Sequence, residues 1–393
     1  MLSEQLELVL FGTAAGPMAT ARLQTSSALV VDGDIYIIDA GMGLTTQFWR
    51  AGLDFRRVRA IFLTHLHSDH VSDLFHFLSS NWPWWDVDRQ RIAIHGPAAA
   101  GASGPEDARH PGLPGTDESV VVPECPTPGI VEFLRNQVAA NAYDINQRLR
   151  STRRRNDVPL DFTGALHPPM YDVHELPVPA GASVADYAPP MAPQTIYEDE
   201  NVRVSATLVD HPPVFPAYGF RFDTAHGAVS FSGDTTVSRN LVRLAQGSDV
   251  LVHEVNAVDE SVGAFTDTPL AETMARQFLT AHTPSRRYRH RDGSTTPGVG
   301  EVASAAGAGA LVLHHLYPAD GSVEAAEFGL AATADFAGPV IVAEDGMRID
   351  VPGLRRLAAL DTTIPSSGAS PEPGGRSTPS LPSSSDTLEG TPS

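Results

Sequence analysis

The stretch "IFLTHLHSDHVSDL", Ile61 to Leu74, constrains this chain more than any other. His65, His67, Asp69 and His70 fall within six residues, directly after an apolar run that reads as a buried strand. His65 and His67 are two apart, so at the end of an extended segment they point to the same side. Asp69 and His70 follow where the chain turns toward a helix and can face a second ion beside the first. Imidazole and carboxylate together suit zinc or a similar divalent ion. The competing reading is a polar loop whose histidines are satisfied by hydrogen bonds; the ligand spacing favours metal.

The flanking sequence alternates short apolar runs with turns: "LELVLFGTAAG", "SSALVVDGDIYIIDAG" and "VRAIFLTH". Asp32-Gly33 reads as a hairpin turn, and "GLTTQFWRAGL" as a helix. From about 97 to 191 the texture becomes Pro- and Gly-rich, and this segment is read as an insertion. Within it Ile130, Leu134, Val138, Ala142, Ile145 and Leu149 recur at steps of three and four, which predicts one amphipathic helix. Thr127 is its expected N-cap, with Pro128 at the first helical position. "TIYEDENVRVSATLVDH" predicts a hairpin turning at Glu200-Asn201. "NLVRLAQGSDVLVHEV" and "EVASAAGAGALVLHHLYP" each read as helix then strand, so the alternation implies a mixed α/β layer architecture. Residues 361–393, rich in Pro, Ser and Thr, carry too few apolar side chains to offset ordering and are expected to be a disordered tail.

Composition narrows the function. A formal charge of -20 over 393 residues argues against a broad nucleic-acid-coating surface, though not against a local basic groove. A single cysteine, Cys125, leaves no intrachain disulfide framework and no all-thiolate zinc site. "MLSEQLELVLFGT" reads as a first strand, not a signal peptide. No run approaches about 18 uninterrupted apolar residues, so no membrane span is expected. Cytoplasmic residence is the expectation.

"HLHSDH" after an apolar strand resembles the HxHxDH motif of the metallo-beta-lactamase fold hydrolases. "LFGTAAGP", "IYIIDAG", "IAIHGP", "VDHPPVFPAYGFRF", "FSGDTT", "DVLVHEV" and "ALVLHHLYP" follow in the order of the ribonuclease Z-like branch. The resemblance covers most of residues 1–352 apart from the insertion, and implies one hydrolase domain there with a four-layer alpha-beta-beta-alpha sandwich. It also implies a ligand set. His65, His67 and His211 would hold one metal, and Asp69, His70 and His315 the second, with Asp234 bridging. Taken alone, His211 could be an ordinary turn histidine and Asp234 a strand terminator. Alignment to the family favours His315 over His314.

Two divalent ions about 3.5–4 Å apart, sharing a hydroxide, would form a hydrolytic centre. Zinc is expected first, with manganese or iron open. Asp69 would also orient the nucleophile. The resemblance makes His253 the general-acid candidate with Glu254 holding it; the alternative is a buried His-Glu pair steadying a strand end. His282 in "TAHTP" resembles a histidine near the metals of the same relatives, although "SRRYRHRDGST" is inserted after it. The remaining His76, His95, His110, His167, His174, His226 and His290 read as structural or exposed. Trp82, Trp84 and Trp85 either wall the site or pack at a helix end. Arg148, Arg150, Arg153, Arg154 and Arg155 either complement a helix C-terminus or contact phosphate.

The expected function is phosphodiester hydrolysis of ribonuclease Z type on an RNA substrate. The second reading keeps the centre and changes the substrate to a small-molecule ester, lactone or sulfate ester, since the centre alone does not choose. A third is a catalytically silent, metal-stabilised binding protein. Relatives of the family make a homodimer an expectation.

Overall fold

A computed structural model of the chain describes residues 5–16, 21–81, 84, 91–100, 127–156, 170–258 and 269–355. Each short apolar run forms a strand. The first sheet holds β1 (Leu6–Gly12), β2 (Ser26–Val31), β3 (Asp34–Ile38), β4 (Val58–Phe62), β5 (Ile92–Pro97) and β6 (Tyr171–Leu176) in that spatial order. A strand from the far end of the chain, Arg348–Asp350, pairs antiparallel outside β1. The second sheet runs through β7 (Gln194–Glu198), β8 (Val202–Leu208), β9 (Tyr218–Thr224), β10 (Gly227–Phe231) and β11 (Val250–Asn256). The short hairpin β12 (Tyr288–Arg289) and β13 (Thr295–Thr296) stands apart. β14 (Leu311–Tyr317) and β15 (Val340–Val342) then complete the second sheet, and Arg348–Asp350 is β16.

The two sheets share a plan. Antiparallel hairpins form one side of each: β1, β2 and β3 in the first, β7 to β10 in the second. Parallel strands form the other: β3 to β6, and β10, β11, β14 and β15. Parallel neighbours need crossovers, which the helices supply. In the first half these are α1 (Leu44–Arg50), α2 (Ser68–Val71), α3 (Leu74–Asn81), α4 (Ile130–Ala140) and α5 (Ala142–Asn156). The second half has α6 (Arg239–Leu244), α7 (Pro269–Ala281), α8 (Val299–Ala306) and α9 (Ala325–Thr333).

Strand alternation explains the four layers. Leu8, Leu10, Tyr36, Ile38 and Phe62 face Val204, Phe220, Phe222, Val252 and Val312 across the inter-sheet core. The intervening Val9, Phe11, Ile35, Ile37 and Ile61 pack outward with Phe48 of α1 and Phe77 of α3. Leu251, Leu311 and Leu313 pack outward with Val299, Ala303 and Phe328 of the helices on the other side. Strands covered on both faces carry near-continuous apolar runs, and each such fully buried side chain contributes roughly 1.5–3 kcal/mol. The result is helix, sheet, sheet, helix.

The Asp32-Gly33 turn has positive φ at both residues, 49° and 85°, as a two-residue hairpin of right-handed twist requires. The stretch read as one helix is two. α4 ends at Asn141, whose side-chain amide donates to the Gln137 carbonyl at 2.8 Å, and α5 restarts at Ala142. The apolar stripe survives the break, with Ile130, Leu134 and Ile145 all buried. Its N-cap is Gly129, not Thr127: a Cβ at Gly129 would lie 2.6 Å from the Ala99 amide nitrogen, so the helix begins only after this close approach. Within the segment read as an insertion, β6 pairs with β5 and forms the edge of the first sheet.

Candidate metal centre

The clustered donors come from the carboxyl-terminal ends of strands, at one end of the sandwich, where sheets of this kind place their ligands. His65, His67, Asp69 and His70 follow β4. His211 follows β8, Asp234 follows β10, and His315 lies near the end of β14. His65, His67, His211 and Asp234 form one group whose ligand atoms lie within 4.8 Å of one another; Asp69, His70 and His315 form a second. Asp234 lies between them, its carboxylate oxygens 3.1 Å from His315 Nε2, 3.3 Å from His70 Nε2, 3.8 Å from His211 Nε2 and 3.9 Å from His65 Nε2. All are buried except His67, which is exposed.

Two backbone features aim these side chains. The β11–β14 ladder slips after Glu254, leaving His315 unpaired at φ 47°, and this bulge turns His315 into the cluster. His314 is directed instead toward Thr25, 3.5 Å from its hydroxyl. Gly233, at φ 60°, sets the turn before Asp234; a Cβ there would meet the Tyr218 carbonyl at 2.5 Å.

The outward-facing ring nitrogens are held by a second layer. Asp39 Oδ2 lies 2.9 Å from His70 Nδ1, while its Oδ1 accepts from the Thr64 amide at 2.8 Å. His211 Nδ1 donates to the Ala281 carbonyl at 3.0 Å. Both arrangements fix the ring so that Nε2 faces the cluster, the way metal-bound histidines are oriented. Asp39 itself sits at φ 58°, a conformation Asp tolerates better than most residues.

The donors fit a divalent cation. Nε2 of His65 and of His211 is buried with no hydrogen-bond partner, an arrangement that costs roughly 1–3 kcal/mol per group when nothing is bound. Burial pushes the His65 imidazole down and brings His211 to about 4, and partial desolvation against the cluster lowers His67 although its residue surface is exposed, so all three are neutral donors at physiological pH. For His70 and His315 burial also acts downward, but the Asp234 carboxylate and its acidic neighbours outweigh it, taking His315 up to about 10. The buried carboxylates of Asp69 and Asp234 beside these rings call for positive charge, which a divalent ion supplies.

A cavity of about 240 Å³ opens beside the cluster, with His67, Asp69, Asp234, His282 and His315 in its lining. Glu254, on β11, stands behind one of these lining residues. Its Oε2 lies 3.2 Å from His282 Nδ1 and its Oε1 accepts from the amides of Thr235 and Thr283. Burial alone would raise this carboxyl; the His282 imidazole more than offsets that, bringing it to about 2. His282 is raised in turn, burial being outweighed by Glu254. The pairing inferred from sequence is therefore corrected. His253 is fully buried on the opposite face of β11, where its Nδ1 donates to the Glu254 main-chain carbonyl. Adjacent strand residues point to opposite faces, so Glu254 holds His282, not His253.

Asp39 was not singled out from the sequence, although "IYIIDAG" contains it. Trp84 packs on Trp49 at 5.1 Å and does not line the cavity. Arg148 pairs with Asp144 one helical turn away, and Arg150 is exposed. Trp82, Trp85, Cys125, His110, His167, the tail from 361 and the side chains of Arg153, Arg154 and Arg155 lie outside the described residues. Among the described residues, no helix is long and apolar enough to cross a membrane.

Two sheets between helices, with this donor cluster at one end, define a metal-dependent hydrolase of the metallo-beta-lactamase fold. The model of the metallo-beta-lactamase superfamily matches residues 20–136. Within that fold the chain is ribonuclease Z-like. It is 28% identical over 353 residues to the ribonuclease Z of Mycobacterium sp. strain KMS, an alignment covering 89% of this chain and 98% of the relative. Against the ribonuclease Z of Mycobacterium bovis strain BCG Pasteur 1173P2 it is 25% identical, covering 88% and 98%. Human tRNase Z, short form, superposes with a TM-score of 0.51 at 19% identity, over 88% of this chain and 99% of that one. The metallo-beta-lactamase fold protein YhfI of Bacillus subtilis gives 0.50 at 16% identity, covering 88% and 98%. These two structures share the fold.

Proposed function

We propose that this chain is a phosphodiesterase acting on RNA, with residues 1–352 as one hydrolase domain and two divalent ions, zinc first, as its cofactors. His65, His67 and His211 would hold one ion and Asp69, His70 and His315 the other, with Asp234 shared. The observation that carries this reading is the convergence of both donor groups on Asp234 beside a cavity lined by His282, the ring that Glu254 holds. The alignment with ribonucleases Z over nearly their whole length supports the RNA substrate.

Bound ions of this kind supply an activated water nucleophile and neutralise charge on the attacked phosphoryl group. The chain's own residues supply the rest. Asp69 Oδ2, fixed by the Gly16 amide at 2.7 Å, faces the cluster and orients the nucleophile. Glu254 favours the protonated form of His282, and the ring lines the cavity where a departing alkoxide needs a proton. Leaving-group protonation thus belongs to His282.

A small-molecule ester is the second reading, and one observation favours it: among the described residues lining the cavity there is no Lys or Arg to track a nucleic-acid backbone. The test is cleavage of a precursor tRNA bearing a 3′ trailer by protein of measured metal content, with His67→Ala alongside. Trailer removal lost together with metal in the variant is the expected result. No cleavage by protein holding two ions would overturn the RNA reading, and full activity of His67→Ala at unchanged metal content would overturn the ligand assignment.

A further inference from the structure

The cavity has a wall that the chemistry above does not use. Also lining it are Phe278 near the end of α7 and Tyr317 at the end of β14, their ring centroids 5.6 Å apart and their planes inclined by 35°. Both are half-buried. Phe278 is backed by Val258, Ala275 and Leu279, so its outer side is what meets the cavity. The Tyr317 main chain is pinned by a 2.8 Å bond from the Ala257 amide. Two neighbouring aromatic rings thus border a space whose remaining lining includes imidazole and carboxylate.

That asymmetry sorts a substrate. The anionic, reacting end belongs with the donor cluster, where cations would sit. Among the described lining residues there is no Lys or Arg, so apart from the donor cluster and His282 no side chain there compensates a second anionic group. Tilted aromatic faces instead favour a flat, uncharged ring. We propose that Phe278 and Tyr317 form a subsite for a planar ring attached next to the scissile ester, a nucleobase or an aryl group. This rests on the metal-hydrolase reading of the same cavity and adds to it the class of group that flanks the reacting bond.

The test is calorimetric binding to the full-length, zinc-loaded protein. Phenyl phosphate is compared with methyl phosphate, and adenosine 5′-monophosphate with ribose 5-phosphate, each pair differing by the ring. Stacking on an aromatic side chain is strong enough that the ringed member should bind about tenfold more tightly. Phe278→Leu and Tyr317→Leu should each reduce that ratio toward one while leaving methyl phosphate binding and zinc content unchanged. Phe278→Tyr, which keeps a ring, should keep the ratio.

A larger ratio in the nucleotide pair identifies the ring as a base, and a larger ratio in the phenyl pair as an aryl group. A ratio near one in the wild type, or one that survives both leucine variants, overturns the subsite. Failure of the phosphodiesterase reading shows separately, as absence of methyl phosphate binding. Benzoate against acetate then reads the ring preference, and no ring dependence in either series overturns the proposal.

Discussion

At the residue scale, the proposed centre depends on side chains one step behind the donors. Asp39 touches no candidate ion; it holds His70 Nδ1 and is itself fixed by Thr64. Asp39→Asn keeps the shape and removes the charge, so metal affinity should fall about 10–100-fold, read by competition with a chromogenic chelator. Unchanged affinity would mean that the Asp39 charge does not tune His70. Glu254 acts differently, through proton affinity. It raises His282, and a general acid works only below its own pKa, so activity should decline as pH rises through that value. Glu254→Gln removes the carboxylate, lowers the pKa of His282 and moves this alkaline limb to lower pH. With metal content retained, kcat should drop by about 10²–10⁴. A limb that stays in place would separate Glu254 from the proton donor.

At the element scale, β5 carries a histidine whose effect is on stability. His95 is buried, stacks on Phe62 at 5.2 Å and on His174 at 4.8 Å, and its Nε2 has no hydrogen-bond partner. Burial, with His174 adding to it, pushes its pKa down to about 4. The unfolded chain titrates near 6.5, so between those values the unfolded state binds the extra proton and stability is lost as pH falls. The full effect is of the order of 3 kcal/mol. His95→Phe keeps the stack and should flatten the loss of denaturation midpoint between about pH 6.5 and 4 relative to wild type; parallel curves would refute this. Elements also show what the sequence makes legible. "THLHSDH" made a donor cluster legible because its members are near neighbours and the strand-to-turn geometry is local. The pairing of Glu254 was obscured by adjacency: "HE" looks like a dyad, yet alternation along β11 sends the two side chains to opposite faces, and the true partner, His282, lies 28 residues on. The break at Asn141 left no trace in the apolar stripe, because steps of three and four continue across a one-residue interruption. Asp39 resembles any turn Asp after a strand until β3 and β4 are aligned.

At the scale of the whole molecule, the two sheets are tied together at opposite ends by different means. At the end remote from the donors, Tyr36 and Tyr197 both donate to Asp199 Oδ2, at 2.8 and 2.7 Å, and the Asn201 amide donates to Asp34 at 2.9 Å. This clamp is made of hydrogen bonds and needs no ion. At the other end the donors come in two sets, His65, His67, Asp69 and His70 from the first half and His211, Asp234 and His315 from the second. Ions bound there would cross-link the halves at the site end only. Ligand binding to the native state adds stability as the logarithm of saturation, about 4 kcal/mol at a thousandfold excess over Kd. Chelation should therefore lower the melting temperature substantially. Loss of amide protection should concentrate in the turns that follow β4, β8 and β10, while Tyr36 and the β7–β8 turn stay protected. Asp199→Ala should do the reverse: it leaves the buried Tyr36 hydroxyl without its acceptor, costs roughly 1–3 kcal/mol, and leaves metal content and turnover intact. Hydrogen exchange of the loaded, chelated and Asp199→Ala proteins distinguishes the two ties. Uniform loss of protection on chelation would mean that the ions stabilise the sandwich as a whole, not its site end.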